Sequence, residues 1–131
     1  MAVDTFYEIR WYPNEPYLKF FTQNLRLRLG SLQPRVTAFI LQRKQEWGDP
    51  KPFDLAGYTL SFRVYDKDNN LIVEGQGQQG PTFADTGEIV YDWKELDIQQ
   101  PGVYYGEFVL VKTDKTFIVP NSHNRLYISV V

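Results

Sequence analysis

The chain has 131 residues, 43% hydrophobic, 16% aromatic and 23% charged, with a formal net charge of −2 and no cysteine. That length suits one domain with a single core, and the composition argues against disorder. The lack of cysteine excludes disulfides, thiolate catalysis and Cys-ligated zinc, and no apolar run reaches the ~20 residues of a membrane-spanning helix.

Residues 1–24 read as an N-terminal extended arm, aromatic and punctuated by proline. Tyr7, Ile9 and Trp11 alternate with Glu8 and Arg10, and Pro13 and Pro16 stop any ladder there because proline lacks the N–H. The segment carries no basic and apolar leader pattern, so a protein made in the cytoplasm is expected. Residues 25–131 read as the sandwich domain. Leu25, Leu27 and Leu29 alternate with Arg26 and Arg28, the period-two signature of a half-buried strand. After Pro34, the run Val36 to Leu41 is apolar enough to be central. Lys44 to Pro52 is a polar loop that holds Trp47.

Tyr58, Leu60, Phe62 and Val64 then share one strand face. Asp66-Lys67-Asp68-Asn69-Asn70 is hairpin-turn chemistry, since Asn and Asp tolerate left-handed backbone and cap their own turns. Leu71 to Glu74 returns as the partner strand, and Gly75 to Gly87 reads as a Gly/Gln loop. Glu88 to Trp93 and Val103 to Lys112 are two aromatic-rich strands joined by a polar corner. Gly102-Val103-Tyr104 opens the second, and a tyrosine so placed reaches back to bond the preceding loop. Thr116 to Val119 and Leu126 to Val131 complete seven to eight strands. The expected fold is an all-β, immunoglobulin-like antiparallel β-sandwich, with Phe62, Tyr91, Trp93, Gly102, Tyr104 and Phe108 as core and corner residues.

No pattern carries catalysis, a cofactor or a metal. Asp66-x-Asp68-x-Asn70 begins like a calcium loop but has Leu71 where the turn glycine belongs. His123 is the single histidine and has no nucleophile motif beside it. Gly75-x-Gly77-x-x-Gly80 precedes Pro81 and no helix, so the helix terminus that would hold phosphate is missing. Asp85, Glu88, Asp92, Asp97 and Glu107 offer carboxylates, but Glu88 and Asp92 share the solvated face of their strand. Residues 1–43 carry +3 and residues 44–131 carry −5. The basic residues do not cluster, which gives no support for nucleic-acid binding.

Three motifs resemble a known family. They are Asp54-Leu55-Ala56-Gly57 running into Phe62-Arg63-Val64, then Gly87 with Tyr91 and Trp93, then Asp97 with Pro101-Gly102-Val103-Tyr104-Tyr105-Gly106-Glu107-Phe108. Together, over residues 36–131, they are similar to the N-terminal β-sandwich of tailed-phage baseplate upper proteins. The resemblance implies a non-enzymatic virion structural or adaptor subunit in tail, baseplate or capsid surface, assembled in the host cytoplasm. Its implied partners are other virion proteins and further copies of itself, with no nucleic acid and no membrane. Phe6, Ile9, Trp11, Tyr12, Tyr17, Phe20 and Phe21 are the arm residues expected to anchor on a neighbour. The alternative is a carbohydrate-binding module for host attachment, with Trp47 and loop tyrosines stacking on glycan.

Overall fold

A computed structural model describes residues 15–22, 24–43, 48–119 and 125–131. The strands are β1 (Tyr17–Phe20), β2 (Asn24–Leu27), β3 (Val36–Gln42), β4 (Lys51–Pro52), β5 (Thr59–Asp66), β6 (Leu71–Gln76) and β7 (Gln78–Gln79). A one-turn helix α1 (Phe83–Thr86) follows, then β8 (Glu88–Tyr91), β9 (Gly102–Lys112), β10 (Lys115–Val119) and β11 (Leu126–Val130). They form a β-sandwich of two sheets. The first runs β1-β3-β8-β7, with β4 also on β3. The second runs β2-β11-β9-β5-β6, with β10 also on β9.

Three details depart from the sequence reading. The described residues hold eleven strands rather than seven or eight, because β4 and β7, of two residues each, are too short to show a period. The second sheet is mixed rather than wholly antiparallel, since β2 lies parallel to β11. Residues 17–20, expected in the arm, belong to the sandwich as β1, paired antiparallel with β3. Their own alternation explains it: Leu18 and Phe20 turn inward and are buried, while Lys19 stays exposed.

The core lies between the sheets, and its centre is aromatic. Phe62 stacks on Tyr91 with ring centroids 5.0 Å apart, meets Phe108 at 4.8 Å and takes Trp93 edge-on at 6.0 Å. Such pairs add about 0.5–1.5 kcal/mol each beyond area burial. Trp93 also donates its indole N–H to the Pro34 carbonyl at 3.0 Å, so its polar edge is satisfied inside the fold. The chain crosses from the second sheet to the first between β6 and β7 at Gly77, whose N–H bonds the Leu60 carbonyl at 2.9 Å.

Turn chemistry sets the strand ends. Asp66 accepts the backbone N–H groups of Asp68 and Asn70, each at 2.9 Å, and Asn69 takes a left-handed φ of 67°. The backbone N–H of Asn70 is the main reason that the Asp66 carboxyl sits below its ordinary value. The calcium-loop pattern is therefore a self-capped hairpin turn. Gly87, with φ 77°, ends α1, its N–H bonding the Phe83 carbonyl. A side chain there would be strained and would run into the Ile40 carbonyl.

Two tyrosines fix the corner between β8 and β9. Tyr104 donates its hydroxyl to the Gln100 carbonyl at 2.7 Å, the tyrosine-corner bond that the Gly-x-Tyr motif predicts. Tyr91 donates to Asp97 Oδ2 at 2.5 Å, and the same oxygen accepts the Lys94 N–H at 2.8 Å. Burial, then the Asp97 carboxylate it donates to, pushes the Tyr91 phenol well above its ordinary range.

A phenol raised in the folded state contributes stability that is fully present below the unfolded pKa, about 10, and is lost as pH rises through the folded value. We expect denaturant midpoints to fall between about pH 8 and about pH 11, and Tyr91→Phe to flatten that fall. It will not abolish it, because burial also raises Tyr17 and Tyr104. At neutral pH the same substitution costs about 1–2 kcal/mol for the lost bond. A pH dependence unchanged by Tyr91→Phe would rule this out.

Candidate interaction face

Consecutive strand residues face opposite ways, so the inward set of the second sheet defines its outward set. Tyr104 is buried and Tyr105 half-exposed on the other side. The registers then align the outward residues in rows across the strands. Tyr65 on β5 pairs with Tyr105 on β9, which pairs with Tyr127 on β11. Leu71 on β6 stands beside Tyr65 and is 49% exposed. The result is a ribbon of Leu71, Tyr65, Tyr105 and Tyr127 on the solvent side.

Arg125 caps this ribbon. Its guanidinium lies 5.4 Å from the Tyr65 ring centre and 5.2 Å from that of Tyr105, and it donates to Asn69 Oδ1 at 3.3 Å. Tyr127 meets Tyr105 edge-on at 5.9 Å. Cross-strand aromatic pairs and cation–π contacts of this kind contribute about 0.2–1 kcal/mol each. Two residues along the strands lies a charged row. Arg63 pairs in register with Glu74 on one side and Glu107 on the other, and its Nε donates to Glu74 Oε2 at 2.9 Å. Continuing the β11–β9 register by one step places Arg125 beside Glu107.

The anchors expected of the arm are divided by the structure. Phe20, expected to reach a neighbour, instead points into its own core, with its ring 6.2 Å from that of Phe108. Tyr17 is half-buried under Arg43, 5.2 Å away. Phe21 is 70% exposed and packs against Phe39 at 6.5 Å on the outer side of the first sheet. Phe6, Ile9, Trp11, Tyr12, Trp47 and His123 lie outside the described residues. Phe62, Tyr91, Trp93, Tyr104 and Phe108 are all buried, and Gly102 opens β9.

Three of the carboxylates that sequence alone offers for chemistry, Glu88, Asp92 and Asp97, have structural partners. Asp92 holds Arg35 in a two-pronged pair at 2.8 and 3.0 Å, and that guanidinium is the main cause of its lowered pKa. Glu88 accepts the Thr82 N–H and hydroxyl at 2.9 and 2.8 Å, which lowers it as well. Asp97 serves the corner. Among the described residues no group of three or more His, Asp or Glu side chains is placed to hold a metal ion.

A surface depression of about 770 Å³ is lined by the Asp66–Asp68 turn, Ile72 and residues 96–97 and 99–104. It is open and adjoins the tyrosine ribbon at Val103. The ribbon itself was missed by sequence reasoning. Its signal is that Tyr65, Tyr105 and Tyr127 each follow an inward residue by one position.

No protein-family model matches the chain, and no curated protein matches it in sequence. Among solved structures it is similar to an endo-β-1,4-mannanase from Thermotoga petrophila, at 15% identity and a TM-score of 0.50. The likeness covers 99% of this chain and 22% of the mannanase chain. It is a likeness of fold.

Proposed function

We propose that the chain is a non-enzymatic structural or adaptor subunit of a phage particle, and that it works by protein contact through the outer face of its second sheet. The observation that carries the contact is the in-register ribbon of Tyr65, Tyr105 and Tyr127 capped by Arg125. Tyr and Arg are the residues most enriched where protein interfaces hold their binding energy. Here both are held in place by neighbours before any partner arrives, which lowers the entropy cost of docking. The virion setting is supported by the resemblance of residues 36–131 to baseplate sandwich domains, whose motif residues Tyr91, Trp93, Asp97 and Tyr104 build the corner described above.

Glycan binding is the weaker reading for this face. Sugars stack on open ring faces, and Arg125 lies over those of Tyr65 and Tyr105. The expected result is that Tyr105→Lys, on the outer side and away from the core, costs about 2 kcal/mol at most through the lost Arg125 and Tyr127 contacts, leaves the chain folded, and removes the subunit from particles. A subunit carrying it that incorporates at wild-type level counts against the proposal. Loss of glycan-array binding on the same substitution would favour the carbohydrate-binding alternative.

A further inference from the structure

We infer that a depression at the end of the sandwich where β5 begins is the seat of residues 11–13 of this same chain, with Trp11 as the anchor. The site lies at the other end of β5 from Tyr65. It goes beyond the reading of the outer tyrosine face and does not depend on it.

The depression, about 540 Å³, is lined by Glu15, Phe53, Tyr58 and residues 114–117. Its apolar wall is a trio of packed rings. Phe53 lies 5.5 Å from Tyr58 and 6.3 Å from Phe117, and Tyr58 lies 6.2 Å from Phe117 between centroids. Phe53 is buried, but Tyr58 and Phe117 are only partly so, which leaves ring surface uncovered. The wall is set before anything docks on it. Asp54 Oδ1 accepts the Ala56 N–H at 3.0 Å, and the Tyr58 N–H bonds the Leu55 carbonyl at 2.9 Å. Lys112 Nζ sits 5.1 Å from the centre of the Tyr58 ring.

The charges at the rim select an uncharged occupant. Glu15 and Asp114 face Lys115 and the Lys112 ammonium over Tyr58, so the signs balance and no ionic ligand is favoured. The uncovered ring surface gains most from an apolar, aromatic side chain.

The position of Glu15 says where that side chain comes from. The described fold begins at Glu15, and Glu15 itself lines the depression. Residues 11–14, which lead into it, are Trp, Tyr, Pro and Asn. At up to about 3.6 Å per residue, Pro13 lies within about 7 Å of Glu15 and Trp11 within about 14 Å. A segment on so short a tether meets the rings at an effective concentration on the order of millimolar, which a separate partner must exceed. Pro13 and Pro16 fix their own φ and hold Tyr12 and Glu15 extended, which lowers the ordering cost of docking. Pro16 is already buried. Trp11, expected on a neighbour, is thereby assigned to its own sandwich.

The test is thermal unfolding of the full 131-residue chain. Trp11→Ala is expected to lower the midpoint by about 3–6 °C, a shift in the range that loss of one anchoring side chain gives in a domain of this size. Phe117→Leu should lower it as well, and the double variant should lose clearly less than the two shifts added, because each change removes the same contact. The wild-type midpoint should not depend on protein concentration.

A midpoint unchanged by Trp11→Ala overturns the inference, and so do two shifts that simply add. If Phe117→Leu fails to fold by circular dichroism, Tyr58→Leu takes its place with Trp11→Ala and must give the same shortfall; additivity there overturns the inference equally. A wild-type midpoint that rises with concentration, together with an oligomer that Trp11→Ala breaks, would seat the segment on a second copy and overturn the assignment to its own chain.

Discussion

Replacing Phe62 with alanine is expected to cost about 3–5 kcal/mol of folding free energy, the range for deleting a fully buried aromatic ring. Phe62 is 0% exposed and touches the rings of Tyr91, Trp93 and Phe108. Those neighbours are held by bonds of their own: Tyr91 to Asp97, and Trp93 to the Pro34 carbonyl. They are poorly free to collapse into the vacated space, so the cost should fall toward the top of the range. Denaturant titration measures it. A loss below about 1.5 kcal/mol, the usual limit for volume-conserving swaps, would mean that the aromatic centre is not the keystone described here.

The second large effect comes from the opposite change at the same place. A methyl group at Gly106 would stand 2.5 Å from Phe62 Cζ and 3.3 Å from Ile128 Cδ1. Since Phe62 is hemmed in on its other sides, the ring cannot swing away cheaply. Gly106→Ala should therefore cost about 1–3 kcal/mol through overpacking. Combining it with Phe62→Leu should give a loss smaller than the two single losses added, because the smaller side chain frees the space that the methyl occupies. Strict additivity within about 0.5 kcal/mol would show that the two positions do not share a cavity.

Much of the fold was legible because its determinants are local. Asp66 to Asn70 announces a self-capped turn, and Gly102-Val103-Tyr104 announces a corner bond; both depend on residues within a few positions of each other. The alternation of Tyr58, Leu60, Phe62 and Val64 fixes the inner face of β5 without knowledge of its neighbours. What escaped was either too short or too distant. The four residues of α1 are fewer than two helical turns, and their stop signal, Gly87, is one glycine among several in a Gly/Gln stretch. β1 falls inside the stretch 1–24 that reads as an arm, where Pro13 and Pro16 stop any ladder before it, although Leu18 and Phe20 carry the inward phase.

The interaction face was legible in part. That Tyr104 and Tyr105 cannot both be buried follows from the chain alone. That Tyr65, Tyr105 and Tyr127 stand side by side follows only from two strand registers, each set by contacts across tens of residues. The same holds for the charges of Glu74, Arg63 and Glu107, which come from three strands and have no sequence motif in common.

The parallel pairing of β2 with β11 carries a mechanical consequence. Tension drawing residue 24 and residue 130 apart pulls these strands in opposite directions along their length. Their ladder, from Asn24 opposite Tyr127 to Leu27 opposite Val130, is then loaded in shear, with its hydrogen bonds strained together rather than peeled one at a time. Forced unfolding is governed by the unfolding rate rather than by equilibrium stability, and a shear clamp raises that barrier without a deeper core.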